Sequence, residues 1–328
     1  MNNIQLLIGK GSKFYDYTNL ISKITWSGRK GAAPRNLTAV LADSEGYSQG
    51  RASVNCGDGQ LAIFKTGGKE RFRGLIMSDT YGSSRQLTIK AYDMCVYLAN
   101  NKDSFSFKKK RADQIFRKCC KKLKLKVGTA TNTKYKIPEL VKKGTTAWDV
   151  IQDALSQTYR ATGRRYYVYA QGNKLYLSRR KANSKAIVFD PASNIESYER
   201  TRSIENTKTR VKMVTSEGKT KKTWRNKALE KKIGRFQEYV SVDEKATATQ
   251  LKKQVKVFKA DQSVVSQTMK ITGPGDITLK AGSCVYVKIP HIKTERILYI
   301  DEDTHTFENG SHKMTLKLTY AKSIDAAG

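Results

Sequence analysis

The sequence predicts an α+β protein that is mainly β, with two similar antiparallel β-barrel domains and a small α+β domain between them. Three observations carry this. Residues 1–98 and the last third of the chain alternate apolar and polar side chains with period two, broken by Gly, Asn and Ser turns about every ten residues. Between them, two segments switch to helical spacing. Finally, the two ends of the chain echo each other.

In the first domain, 1–98, strands are expected at "LTAVLAD", at Gly50 to Cys56, and at "QLAIFKTG", "RFRGLIMSDTY" and "RQLTIKAYDMCVYL". The five prolines fall where loops or strand edges would put them. The middle domain, 99–200, opens on "FKKKRADQIFRKCCKKLKLK", ten of whose twenty residues are Lys or Arg. It reads as one basic helix, with Ala112, Ile115, Phe116, Cys119 and Leu123 inward. A second helix follows in "TTAWDVIQDALSQTYRA", where Thr146 and Asp149 make a capping box and Val150, Ile151, Ala154, Leu155 and Thr158 the buried stripe. "RRYYVYAQGNKLYLSRR" then reads as a hairpin turning at Gly172 and Asn173. The third domain, 201–328, begins with a polar strand pair and mobile loop at "TSEGKTKKTWRNKALEKKIG". A helix near 243–260, entered at Ser241 or Asp243, precedes the returning strands. Asn309-Gly310 is the strongest hairpin signal in the chain.

The echo links Glu70-Arg71 to Glu295-Arg296, each thirteen residues after a glycine (Gly57, Gly282). Both lead to Asp-Thr (Asp79-Thr80, Asp303-Thr304) and then to "LTIKAY" or "TLKLTY". The first and last domains are therefore expected to share one β-fold.

At 328 residues the chain exceeds what one core usually serves, and 38% hydrophobic content excludes a disordered polycation. The net charge is +33, distributed as +6, +16 and +11 over 1–98, 99–200 and 201–328. Such self-repulsion is easiest to tolerate beside something acidic. No window approaches the roughly 18 apolar residues of a membrane span, and no basic leader precedes Ile4 to Ile8, so cytoplasmic synthesis without membrane insertion is expected. Cys56, Cys95, Cys119, Cys120 and Cys284 read as reduced thiols.

Enzyme motifs are missing: there is no G-x-S-x-G and no phosphate loop, so neither catalytic residues nor a cofactor are expected. His305 and His312 flank a hairpin turn and read as cross-strand surface histidines rather than metal ligands. Asp301, Glu302 and Asp303 read as a solvated strand end. Nucleic-acid binding is the competing function. Lys108, Lys109, Lys110, Arg111, Arg117, Lys118, Lys121 and Lys122 could neutralise phosphates, with Tyr166, Tyr167 and Tyr169 offering stacking beside Arg164 and Arg165. The apolar stripe of the same helix is fully explained by packing, and no nucleic-acid motif accompanies it.

"GKERFRGLI", "LTIKAYDMCVYLANN", "FKKKRADQIFRK", "TTAWDVIQDAL" and "YIDEDTHTFENGSHKMTLKL" together resemble the baseplate hub proteins of contractile phage tails. The resemblance is to the XkdQ family of PBSX-like prophages, found also in contractile bacteriocins, and it runs through nearly the whole chain. It implies a structural protein assembled into a tail baseplate: a homotrimeric ring whose six tube-like barrels meet the six-fold tail tube, with a trimeric spike on the other face. Some tail hubs carry fused peptidoglycan hydrolases, but the three domains leave no room for one. Tube, spike, wedge and tape-measure proteins are the implied partners. Arg71, Arg73 and Asp79, with Arg296 and Asp303, are candidates for the ring contacts. The eight basic residues above are candidates for peripheral contact with an acidic neighbour. Three chains of +33 lining a lumen would hold passing DNA by non-specific contact. The excess is therefore expected on the outside, unless the particle is a bacteriocin that passes no genome.

Overall fold

The computed structural model describes residues 4–42, 59–83, 86–180 and 187–320. The strand expected at Gly50 to Cys56, and Gly57, lie outside these. The first β-unit holds β1 (Ile4–Lys10), β2 (Lys13–Asp16), β3 (Ile21–Arg29), β4 (Asn36–Ala42), β5 (Leu61–Thr66), β6 (Lys69–Tyr81) and β7 (Gln86–Asp93). Its core gathers the inward residues of the alternating strands, among them Leu6, Ile24, Trp26, Leu37, Phe64 and Ile89.

The α+β unit follows with α1 (Val96–Asn100), β8 (Lys102–Arg111), α2 (Ala112–Lys122), β9 (Lys126–Ala130), β10 (Lys136–Thr146), α3 (Ala147–Thr162), β11 (Tyr166–Gln171) and β12 (Lys174–Arg179). As the sequence predicts, Thr146 caps α3, its Oγ1 accepting from the Asp149 N–H at 3.1 Å. All five residues expected in its stripe are buried. The basic segment differs from expectation: Lys108, Lys109, Lys110 and Arg111 lie on β8, and the helix starts only at Ala112. Phe105 and Phe107 alternate inward on β8, and its pairing with β10 carries the strand to Arg111.

The second β-unit contains β13 (Val188–Phe189) and β14 (Ser197–Ser203), and, after an insertion, β18 (Ser266–Pro274), β19 (Cys284–Ile289), β20 (Thr294–Glu308) and β21 (Ser311–Tyr320). The insertion comprises β15 (Arg210–Val214), β16 (Thr220–Arg225), α4 (Lys227–Ile233), β17 (Gln237–Ser241) and α5 (Ala248–Asp261). It has a small core of its own, around Val211, Met213, Leu251, Val255 and Phe258. The polar stretch expected to be a strand pair and mobile loop is the β15–β16 hairpin followed by α4, with Asn226 accepting from the Leu229 N–H. The expected helix begins later than Ser241 or Asp243, because Thr247 and Gln250 form the capping box and Gln237–Ser241 pairs with β15. Asn309 and Gly310, both at positive φ, make the β20–β21 turn.

The two β-units repeat one strand order. The first reads β1-β5-β6-β7-β4-β3 and the second β13-β19-β20-β21-β18-β14, with chain order preserved within each. Two departures stand out among the described residues: β13 runs parallel to β19, whereas β1 is antiparallel to β5, and β2, paired with β1, has no counterpart beside β13. The register repeats as well. Met77 is an extra residue between Ile76, opposite Ala91, and Ser78, opposite Lys90. Asp301 is an extra residue between Ile300, opposite Leu318, and Glu302, opposite Lys317. Two residues past each bulge stand Asp79 and Asp303, so the echoed Asp-Thr pairs occupy equivalent places. Arg71 is a second extra residue, found only in β6, and it accounts for the one-residue difference in spacing between the echoes.

Candidate assembly interfaces

The β-units join through one strand. The first half of β20 pairs with β19, and its second half pairs antiparallel with β3, placing Glu302 opposite Arg29, Asp303 opposite Gly28 and Glu308 opposite Lys23. One sheet of thirteen strands results. Ion pairs flank the seam, Arg29 to Glu302 at 3.1 Å and Lys23 to Glu308 at 3.1 Å. These are solvated, and each contributes at most about 1 kcal/mol.

The centre of the seam is buried. Asp303 is 1% exposed; its carboxylate takes both terminal nitrogens of Arg35 and the backbone N–H of Ala281 at 2.6 Å. The Arg35 guanidinium lies over the Trp26 ring, 4.1 Å from its centroid, and reaches Asp303 because Gly28 carries no side chain in its path. Burial lowers the Arg35 pKa to about 9, with the Asp93 charge opposing that fall. Burial likewise raises Asp93 to about 6, against hydrogen bonds from Cys95 and the pull of Arg35. The reading of Asp301 to Asp303 as a solvated strand end is therefore corrected: β20 does not end there, and the first β-unit covers it.

His305, expected at the surface, is wholly buried against Trp26, its Nδ1 3.1 Å from His312 Nε2 and its Nε2 donating to the Leu279 carbonyl at 2.8 Å. Burial lowers its pKa to about 4. Its strand would face water in an isolated unit, and the neighbouring β-unit closes over it. Among the described residues no group of three His, Cys, Asp or Glu could hold a metal.

Arg71 lines a cleft of about 240 Å³ between the units, with Arg35, Tyr167, Tyr169 and Lys280. There burial, then the charges of Arg35 and Arg71, lower the Lys280 pKa. Arg73 is taken by Glu70 at 2.7 Å, and Arg296 lies exposed over the Tyr320 ring. Asp79, the counterpart of Asp303, is exposed.

On the basic face, Lys108 and Lys109 of β8 and Arg117, Lys118, Lys121 and Lys122 of α2 are exposed, while Lys110 and Arg111 are half-buried. Arg111 pairs with the buried Asp113 at 3.0 Å, and Lys122 pairs with Asp103. The structure thus divides the eight candidate cations between two elements and satisfies two of them internally. Cys119 and Cys120 are buried on the opposite side of α2, their thiols pushed up to about 12 by desolvation. The central residues of the seam that sequence reasoning missed are Arg35 and Trp26; an arginine beside Pro34 in a short loop gives no periodic signal of burial.

This fold, a duplicated β-unit joined through one strand with an α+β unit between, is similar to that of solved phage tail proteins. A tail protein from Neisseria meningitidis superposes with a TM-score of 0.74 at 14% identity, covering 99% of both chains. An Escherichia coli type VI secretion component, described as similar to the T4 tail proteins gp27 and gp5, gives 0.61 at 9% identity over 98% of this chain and 78% of that one.

The chain belongs to the YQBQ-like family, whose model matches residues 24–319. Two Bacillus subtilis relatives match along nearly their whole length. YqbQ is 31% identical over 98% of both chains, and the phage-like element PBSX protein XkdQ is 32% identical over 95% of this chain and 96% of its own. No helix among the described residues is long and apolar enough to cross a membrane.

Proposed function

We propose that this protein is the structural hub of a phage-type tail baseplate, a homotrimer that adapts a six-fold tube to a three-fold spike. The carrying observation is the duplication: one chain holds two β-units with the same strand order, the same bulge and a direct strand junction. Three such chains present six near-equivalent surfaces while keeping true three-fold symmetry. The family and its phage-element relatives support the same reading. The three expected domains serve as the working units, with the second boundary moved from 200 to before β13, because β13 and β14 pair within the second β-unit, and with the exposed Lys and Arg of β8 and α2 facing an acidic neighbour outside the ring. Nucleic-acid binding through this face is the weaker reading, since Arg111 and Lys122 already have carboxylate partners.

The test is cryo-electron microscopy of tail particles purified from the producing bacterium. The hub reading expects three copies per tail, at the tube end that carries the spike. Six copies, or density elsewhere along the tail, would sink it.

A further inference from the structure

Among the described residues, each β-unit carries an unfilled counterpart of one side of the β20–β3 junction. β14, the equivalent of β3, is an outer strand that pairs among the described residues with β18 alone. The last residues of β6, equivalent to the half of β20 that meets β3, pair with β7 on one side and with no strand on the other among the described residues. Exposure tells the same story. Asp303 and His305 are 1% and 0% exposed beneath the first β-unit, whereas Met77 and Tyr81 at the matching stretch of β6 are 50% and 49% exposed.

We propose that Ser78–Tyr81 of one chain adds antiparallel to β14 of a second copy, as β20 adds to β3 within the chain. The pairings fix the register. Through β7 and β21, Ala39 of β4 corresponds to Ile271 of β18, which places Ile24 of β3 in the position of Tyr198 of β14. Carried across, Asp303 opposite Gly28 becomes Asp79 opposite Arg202, Thr304 opposite Ser27 becomes Thr80 opposite Thr201, and His305 opposite Trp26 becomes Tyr81 opposite Arg200.

The chemistry of the transferred pairs is complementary. Within the chain, Gly28 leaves space for Arg35 to arrive from a loop and bind Asp303. In the transferred register Arg202 brings a guanidinium to Asp79 from the strand itself, and Arg200 brings one to the ring of Tyr81. Among the described residues both edges are otherwise open, of the kind that proteins cover or charge, and mutual pairing covers both. The contact is head to tail, so it generates either a closed ring or a filament. Closure at three copies rests on the hub reading; the pairing rests on the duplication alone.

The test is disulfide trapping in the full-length protein. Asp79→Cys with Arg202→Cys, in a Cys56→Ser background, puts two exposed thiols directly opposite each other. Asp79→Cys with Arg200→Cys is shifted by two residues. Directly opposed pairs lie about 4.5–5.5 Å apart and diagonal ones about 7–8 Å, beyond easy bridging. Mild oxidation at high protein concentration should give covalent trimers at least about ten times more abundant from the first pair than from the second. As an independent reading, Asp79→Arg should dissociate the oligomer in light scattering, and adding Arg202→Asp should restore it.

A trimer that forms without this disulfide would overturn the proposed edge while leaving the hub standing. A chain that stays monomeric and unbridged at millimolar concentration would overturn the pairing too. Covalent species growing past three copies would uphold the pairing and overturn the closed ring.

Discussion

Replacing Asp303 with Ala removes the carboxylate at the buried centre of the seam while leaving Arg35 in place. The Arg35 side chain is 15% exposed and that of Asp303 0%, so solvent screening offers little relief. Breaking a buried ion pair from one side costs about 3–5 kcal/mol, because the surviving charge stays desolvated. Here the Ala281 N–H loses its acceptor as well, and Asp93 remains as a second carboxylate to compensate part of the loss. The expected destabilisation is therefore about 3 kcal/mol. Urea unfolding followed through Trp26, in a chain with Trp148→Phe and Trp224→Phe, reads the seam directly, since Trp26 carries the Arg35 cation on its ring. Arg35→Met combined with Asp303→Leu should recover only part of the loss, because the apolar pair leaves no stranded guanidinium but the Ala281 N–H still lacks its acceptor and Asp93 loses its cation. A loss below about 1 kcal/mol from Asp303→Ala would refute the argument, placing the pair energetically with the solvated bridges of the rim.

Acidification should weaken the fold through His305. Its folded pKa, about 4, lies below the ordinary 6.5, so the unfolded chain binds more protons between those values and stability falls as pH drops through that window. Asp93, raised to about 6, works the other way between pH 6 and 3.8. His305→Gln should thus shrink the loss of stability on going from pH 7 to 4.5, measured as the urea midpoint at each pH. Thr146→Ala should cost about 1 kcal/mol by freeing the Asp149 N–H at the start of α3, with Thr146→Ser nearly neutral in the same denaturation.

The duplication is legible in the sequence because it is written in paired signals: a Glu-Arg entry, an Asp-Thr, an alternating return strand. Lys65 opposite Glu70 and Lys288 opposite Glu295 show that the Glu residues mark one place in both units. The capping of α3 and the Asn309-Gly310 turn were legible for a similar reason, as their geometry depends on neighbours in sequence. What stayed hidden depends on partners remote in sequence. Asp303 and Asp79 sit in matching local patterns, yet one is buried and the other exposed, because only one meets β3. The Lys108–Arg111 run misled because consecutive lysines carry no period, and the two phenylalanines that mark the strand lie just before them. The insertion between β14 and β18 was read as strands and a helix without its separate core, since short polar strands with few apolar residues look like a loop.

The long strand β20 also sets how the molecule carries force. Its hydrogen bonds to β19 and β21 anchor one end in the second β-unit, and those to β3 and β21 hold the other end against the first. A pull along the strand must shear a whole ladder at once, whereas a pull across it would open the ladder bond by bond. Force applied to one β-unit therefore has a path to the other through the backbone hydrogen bonds of this strand.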